Sequence, residues 1–280
     1  MLIKQIKTRA ALEENGIING IAKLNEDLFA ITKDRNIIER FDLVTLSSKQ
    51  QLFVNEYENV RDIQPCNQSE SLFIIKEEFP GQIFISSVDP YNKETLDTWA
   101  VDSCINRLSV TEDCHVIAVC PDKNKIFEYS STGFLLLEIV LKPEMGIVRP
   151  RLALKMTSGN FLVSYDEGSY RTGIGLAILN SKGTVLKLYS DSSQKSEFVN
   201  AMVIDRQGNI LVTEMTAGRV FLLSSDLEYK RELVTRENGI GVIIAMLLDE
   251  ENGRLFVADC DFNFRGAKVE NGRIMVFDIN

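Results

Sequence analysis

One pattern recurs six times along the 280 residues, and its period leaves few folds open. Each copy has a short apolar segment, a polar turn, a second apolar segment and another turn. A third segment follows, ending in a bulky residue and a small polar one. The second segments read LFAI (28–31), LFII (72–75), VIAV (116–119), FLVS (161–164), ILVT (210–213) and LFVA (255–258). The third segments repeat an apolar residue, two variable positions, a bulky residue and Asp, Ser or Asn, from Ile38/Phe41/Asp42 to Ile274/Phe277/Asp278. First segments anchor at Ile21, Ile63, Leu108, Leu152, Met202 and Met246, at spacings of 42, 45, 44, 50 and 44 residues. That period belongs to a four-stranded propeller blade rather than a helical repeat.

The inner segments are continuous apolar runs, as strands covered on both faces require. A fourth, more polar segment per repeat, such as TVLKLY (184–189), fits an outer strand with one wet face. Helical periodicity is nearly absent; only residues 9–15 fit a turn or two of helix. The expected fold is all-β, one six-bladed β-propeller of four-stranded antiparallel blades over residues 1–280. The blades fall at about 17–54, 60–102, 105–141, 148–190, 198–234 and 241–280. The sixth repeat lacks its outer segment, so the N-terminal residues 1–8, β-compatible at 2–7, are expected to close it and remove an open strand edge.

Charge narrows the partners. Net charge is −9, and the excess lies in residues 54–147, where 16 acidic groups face 7 basic ones. Such a surface repels phosphate backbones and attracts basic partners, which argues against nucleic acid. No apolar run reaches the length of a membrane span, and the first residues are too polar for a secretory leader. Five cysteines, an odd number without CxxC spacing, read as packed thiols of a reduced, cytoplasmic chain. A single His excludes chemistry that needs several imidazoles.

The segments ENGRLFVAD (251–259) with NGRIMVFD (271–278), and DRQGNILVTE (205–214) with AGRVFLL (217–223), resemble NHL-repeat propellers. These form the C-terminal domains of many tripartite-motif proteins. The resemblance implies a non-catalytic platform for a protein or peptide, the recognition part of a ubiquitin-ligase-like protein, with no cofactor. RNA binding, known for some NHL propellers, is a second implication, and the acidic charge weighs against it.

The longest connections, 142–150, 166–173, 191–199 and 259–272, fall on one face, where a rigid scaffold presents binding loops. Arg149, Arg151, Tyr170, Arg171, Phe262, Phe264 and Arg265 supply the guanidinium and aromatic chemistry of interface hot spots there. A different constellation lies nearer the axis. Asn19, Asn106 and Asn200 each precede a first-strand anchor by two residues, so all three are expected to face the central channel, with Glu214 and Asp259 at a similar height. Amide and carboxylate oxygens around an axis suit Ca²⁺. NGIA (19–22) resembles the gluconolactonase-type propellers, which implies a metal-dependent hydrolase as the alternative to a binding platform. His115 reads as a surface histidine, and Trp99 as core between blades.

Overall fold

The computed structural model describes residues 6–14, 17–32, 37–53, 58–78, 81–166, 174–191, 199–215, 217–263 and 268–279. They form six four-stranded antiparallel sheets arranged as a propeller. Blade one holds β2 (Ile18–Leu24), β3 (Asp27–Thr32), β4 (Ile37–Asp42) and β5 (Ser48–Phe53). Blade two holds β6 (Glu58–Cys66), β7 (Ser71–Glu78), β8 (Gln82–Asp89) and β9 (Glu94–Val101). Blade three is β10 (Leu108–Val110), β11 (Val116–Cys120), β12 (Lys125–Tyr129) and β13 (Leu135–Val140). Blade four is β14 (Val148–Lys155), β15 (Phe161–Asp166), β16 (Ile174–Leu179) and β17 (Val185–Asp191). Blade five is β18 (Met202–Ile204), β19 (Ile210–Glu214), β20 (Arg219–Leu223) and β21 (Tyr229–Val234). Blade six combines β22 (Val242–Asp249), β23 (Arg254–Asn263) and β24 (Lys268–Ile279) with the N-terminal β1 (Ile6–Glu14).

Each inner strand touches the inner strands on either side, and β2 meets both β6 and β22, so the ring is closed around an axis. The second strands are the most deeply buried: every residue of β3, β11, β15 and β19 is buried, and β7 is buried up to Lys76. Apolar side chains of adjacent blades share clusters. Ile31 and Leu52 of blade one pack with Ile63 and Ile74 of blade two, and Ile117 and Ile126 of blade three with Ala153 and Phe161 of blade four. The blades are thus glued face to face, and the fold buries its core in the seams rather than in one centre.

At the seam between blades two and three, Trp99 of β9 lies edge-on to Phe73 with ring centroids 6.1 Å apart. It also covers Gly133, where a Cβ would come within 2.6 Å of the indole; with φ of +87° this turn position suits only glycine. Trp99 is therefore inter-blade core, as expected.

Three sequence expectations are corrected. The N-terminal strand closes blade six, as expected, but it runs on past residue 8. Ile6 to Glu14 pair with β24 from Ile279 back to Gly272, so residues 9–14 are strand and not helix. An extended partner at the open edge of β24 satisfies backbone groups that a helical turn would leave bare. The 259–272 connection is mostly ladder: β23 and β24 continue past a bulge at Cys260, pairing Asp261 with Glu270, Phe262 with Val269 and Asn263 with Lys268.

The third correction concerns sulfur. Cys66 is bonded to Cys114 and Cys104 to Cys120, with Cα–Cα distances of 5.3 and 5.1 Å, and Cys260 alone is a free, buried thiol. The partners come from different elements that the fold brings together, so sequence spacing could not reveal them. Disulfides persist in oxidising compartments, and the thiol-based argument for a reducing cytoplasm falls with this finding. No helix among the described residues is long and apolar enough to cross a membrane.

Candidate functional site in the central channel

The inner strands enclose a cavity of about 900 Å³. Leu152, Leu154, Met202, Ile204, Met246 and Leu248 of blades four to six give it an apolar stretch. Charged and polar groups flank this, Asp62, Gln64 and Arg107 from blades two and three and Lys155, Asp205, Arg206 and Glu250 from blades four to six. The volume suits a ligand pocket.

The position immediately before five of the six first-strand anchors forms the neck of this channel. Gly20, Asp62, Arg107, Ala201 and Ala245 occupy it and line the cavity, while Arg151, before the sixth anchor, turns to Asp166. In blades one, two and six the reason is a repeated irregularity. The ladder register shifts between Ile18 and Gly20, between Val60 and Asp62, and between Ile243 and Ala245. Each bulge inserts a residue at the position two before the anchor, which re-aims its neighbours. Side chains alternate faces along a strand, so a one-residue offset exchanges which of them meets the axis.

Asp62 and Arg107 are the charged members of the neck. Asp62 is almost fully buried; its Oδ1 accepts from the Ile63 N–H at 2.9 Å and its Oδ2 from the Leu108 N–H of the next blade at 2.7 Å. Burial pushes its carboxyl above the usual carboxylate range, against the pull of Arg107 and of these two backbone donors. The Arg107 guanidinium stands 3.8 Å from Asp62 and reaches across blade two to donate to the Asn19 carbonyl of blade one at 3.3 Å. Among the described residues this is the one hydrogen bond that its five N–H donors make.

Two further cations line the far mouth. Lys155 lies 2.6 Å from Glu128, and the exposed Arg206 guanidinium stands 3.6 Å from both Glu250 and Glu251. Glu128 also accepts from, or shares a proton with, His115 Nδ1 at 2.7 Å, so this histidine is half-buried and oriented rather than free on the surface. Burial raises the Glu128 pKa, but the bonds to Lys155 and His115 outweigh it and hold the carboxyl below its ordinary value of 4.5. A depressed folded-state pKa stabilises the fold above the unfolded value and ceases to do so as pH falls through the folded one. The melting temperature is therefore expected to fall as the pH drops below the ordinary glutamate range and through the lowered one. Glu128→Gln should melt several degrees lower at pH 7, and the difference should shrink as the pH falls. A pH-independent difference between the two in thermal melts would contradict this.

The residues expected at the site are only partly gathered. Asn200 lines the channel, its Nδ2 donating to the Ile243 carbonyl at 3.2 Å; Asn19 presents its backbone carbonyl to Arg107; Asn106 is exposed outside the lining. Glu214 is tied to Arg219, which also binds Glu232 at 2.7 Å. Asp259 is forked by Arg273 at 3.1 and 2.7 Å, and it accepts from the Gly241 N–H at 2.5 Å. Each of these carboxylates already carries a guanidinium, so the pair as arranged does not fit a hard cation, which needs such oxygens unneutralised.

On the loop-rich face, Arg151 grips Asp166 through Nε at 2.7 Å and Nη2 at 2.9 Å, and Arg149 approaches the same carboxylate at 3.7 Å. Arg151 is thereby structural, while Arg149, 46% exposed and held at φ +50°, remains on the surface. Tyr170, Arg171, Phe264 and Arg265 lie outside the described residues, and of Phe262 only the backbone pairing is described. Asp62 and Arg107 were missed in the sequence. The signal was present: both precede a repeat anchor by one residue, in a position otherwise held by Gly20, Arg151, Ala201 and Ala245.

No protein-family description matches the chain, and no curated protein is similar to it in sequence. Solved structures are similar in fold. The PQQ-bound aldose sugar dehydrogenase of Streptomyces coelicolor has a TM-score of 0.69 at 11% identity, over 99% of this chain and 98% of that one. Virginiamycin B lyase from Staphylococcus aureus has a TM-score of 0.63 at 9% identity, over 99% of this chain and all of that one. A protein of unknown function from Bacteroides caccae gives 0.61 at 11% identity, over 81% and 85%. At such identities the likeness concerns the fold alone, and the fold is the six-bladed β-propeller.

Proposed function

We propose that this chain is a non-catalytic binding propeller that receives part of a protein or peptide partner in its central channel. The observation that carries the reading is how charge is disposed around a cavity of about 900 Å³. Of the acids that line it, Asp62 accepts from the Leu108 N–H, Asp205 from the Gln207 and Asn209 N–H groups and Glu250 from the Arg206 N–H, so backbone donors engage them rather than a second group as an acid–base pair. The apolar stretch between Arg107 at one end and these charges at the other is a recognition surface. The NHL-type resemblance points the same way, towards partner recognition; the two disulfides set it apart from a reducing, ligase-like context.

The test is a peptide-display selection on the immobilised oxidised protein, expected to enrich a shared motif whose binding is lost when the channel is blocked. The hydrolase alternative has its own readouts. Asn200→Ala removes one 3.2 Å bond and should cost about 1 kcal/mol whether or not Ca²⁺ is added. A calcium-dependent rise in melting temperature, or lactone hydrolysis that Asn200→Ala abolishes, would replace the binding reading with the hydrolase one.

A further inference from the structure

The neck of the channel has a chemistry more specific than apolar recognition. Arg107 presents its guanidinium there with its nearest carboxylate oxygen 3.8 Å away, whereas Lys155 in the same lining sits 2.6 Å from its acid. Asp62 does not neutralise it closely, because that carboxylate is turned to the Ile63 and Leu108 N–H groups. The same neck is lined by Gly20, Ala201 and Ala245, and along the inner strands runs an apolar stretch that includes Leu154, Met202 and Met246. The charged groups Glu112, Asp113, Lys155, Asp205, Arg206 and Glu250 lie at or beyond the other ends of those strands. A cation with spare, planar donors at one end of an apolar stretch calls for a ligand of matching polarity. Guanidinium groups take carboxylates in two parallel bonds, and the low-dielectric wall strengthens them.

We propose that the channel binds a carboxylate carried on an apolar stem, its oxygens on Arg107 and its stem along the Leu154, Met202 and Met246 wall. This rests on the channel-binding reading above and narrows its ligand. Two sources offer that chemistry, a small aliphatic acid and the C-terminus of an apolar peptide, since chain termini are captured by buried donors in the same manner.

The experiment is isothermal titration of the full oxidised chain with octanoate, octanol and octylamine, and with an apolar pentapeptide ending in a free acid or an amide. Octanoate or the peptide acid should bind, while octanol, octylamine and the amide should bind at least about tenfold more weakly. Arg107→Ala should remove that preference, and Arg107→Lys should restore part of it as a point charge without the fork. Octanoate without the peptide acid assigns a small-molecule ligand, and the peptide acid without octanoate assigns a chain terminus. Equal binding of octanoate and octanol, binding unchanged in Arg107→Ala, or no binding by either acid would overturn the proposal. Should Arg107→Ala fail to fold by circular dichroism, the acid-against-alcohol comparison in the parent decides alone. A displayed motif without a free terminus would leave the binding-propeller reading standing while this inference fails.

Discussion

Reduction of the two disulfides is expected to lower the melting temperature by roughly 10 °C or more, one of the two largest single effects foreseen for this chain. The bridges close loops of 48 and 16 residues in sequence separation. In the loop-entropy description such loops stabilise by about 4 and about 3 kcal/mol, with less than the sum for two interlaced bridges. A kilocalorie moves the midpoint of a domain this large by roughly 2–4 °C. Their placement adds to the effect. Cys66 at the end of β6 meets Cys114 in the turn entering β11, and Cys104 between blades two and three meets Cys120 at the other end of β11. One strand is pinned at both ends to the neighbouring blade. This sector also holds the 16 acidic and 7 basic groups of residues 54–147, whose self-repulsion favours separation of the blades. Melts with and without a phosphine reductant check the prediction, with Cys66→Ser/Cys114→Ser separating the contributions. Thiol titration of the unreduced, denatured chain should find one thiol, that of Cys260; five thiols would show that the bridges do not form.

The parts of this fold that were legible in the sequence are those written by burial. Ile31, Ile75, Val119 and Leu223 are inaccessible because they sit on middle strands covered on both faces, and that double covering makes the runs continuous and the repeat visible. What depends on pairing across the chain was hidden. The cysteines bond across a blade seam, and the closing strand takes its register from β24, more than 250 residues away, rather than from any alternation of its own. Local register was recoverable and was overlooked. Glu214 and Arg219 face each other across the β19–β20 turn, and Asp259 faces Arg273 in the β23–β24 ladder, so hairpin counting alone would have given each carboxylate its guanidinium. The channel residues were missed by one position. A regular strand would place the second residue before the anchor on the anchor's own face, and the bulges break that parity. Bulges leave little trace in a single sequence. In blade three Asn106 and Arg107 both precede β10, which begins at Leu108 and pairs without a shift, so strand alternation could not choose between them.

Deleting residues 1–14 is expected to abolish cooperative folding, whereas deleting residues 1–8 should cost only a few degrees. The difference follows from the ladder. Ile6, Lys7 and Thr8 pair with Ile279, Asp278 and Phe277, the register then shifts, and Ala10 to Glu14 continue against Val276 to Gly272. The shorter deletion frays one end of the seam and leaves the five pairs beyond the shift in place. The longer one strips the outer strand from β24, whose Ile274, Val276 and Phe277 belong to the cores shared with blades one and five. At about 0.5–1.5 kcal/mol net per hydrogen bond and about one bond for each of the eight pairs, the lost ladder is worth about 4–12 kcal/mol, a large share of the roughly 5–15 kcal/mol that holds a typical domain together. It also exposes a long, apolar strand edge, a template for pairing between molecules. Thermal melting and light scattering of both truncations provide the check. Equal loss in the two would place closure within the first eight residues, and a monomeric 15–280 chain with an unchanged melting point would show that β1 does not close the ring.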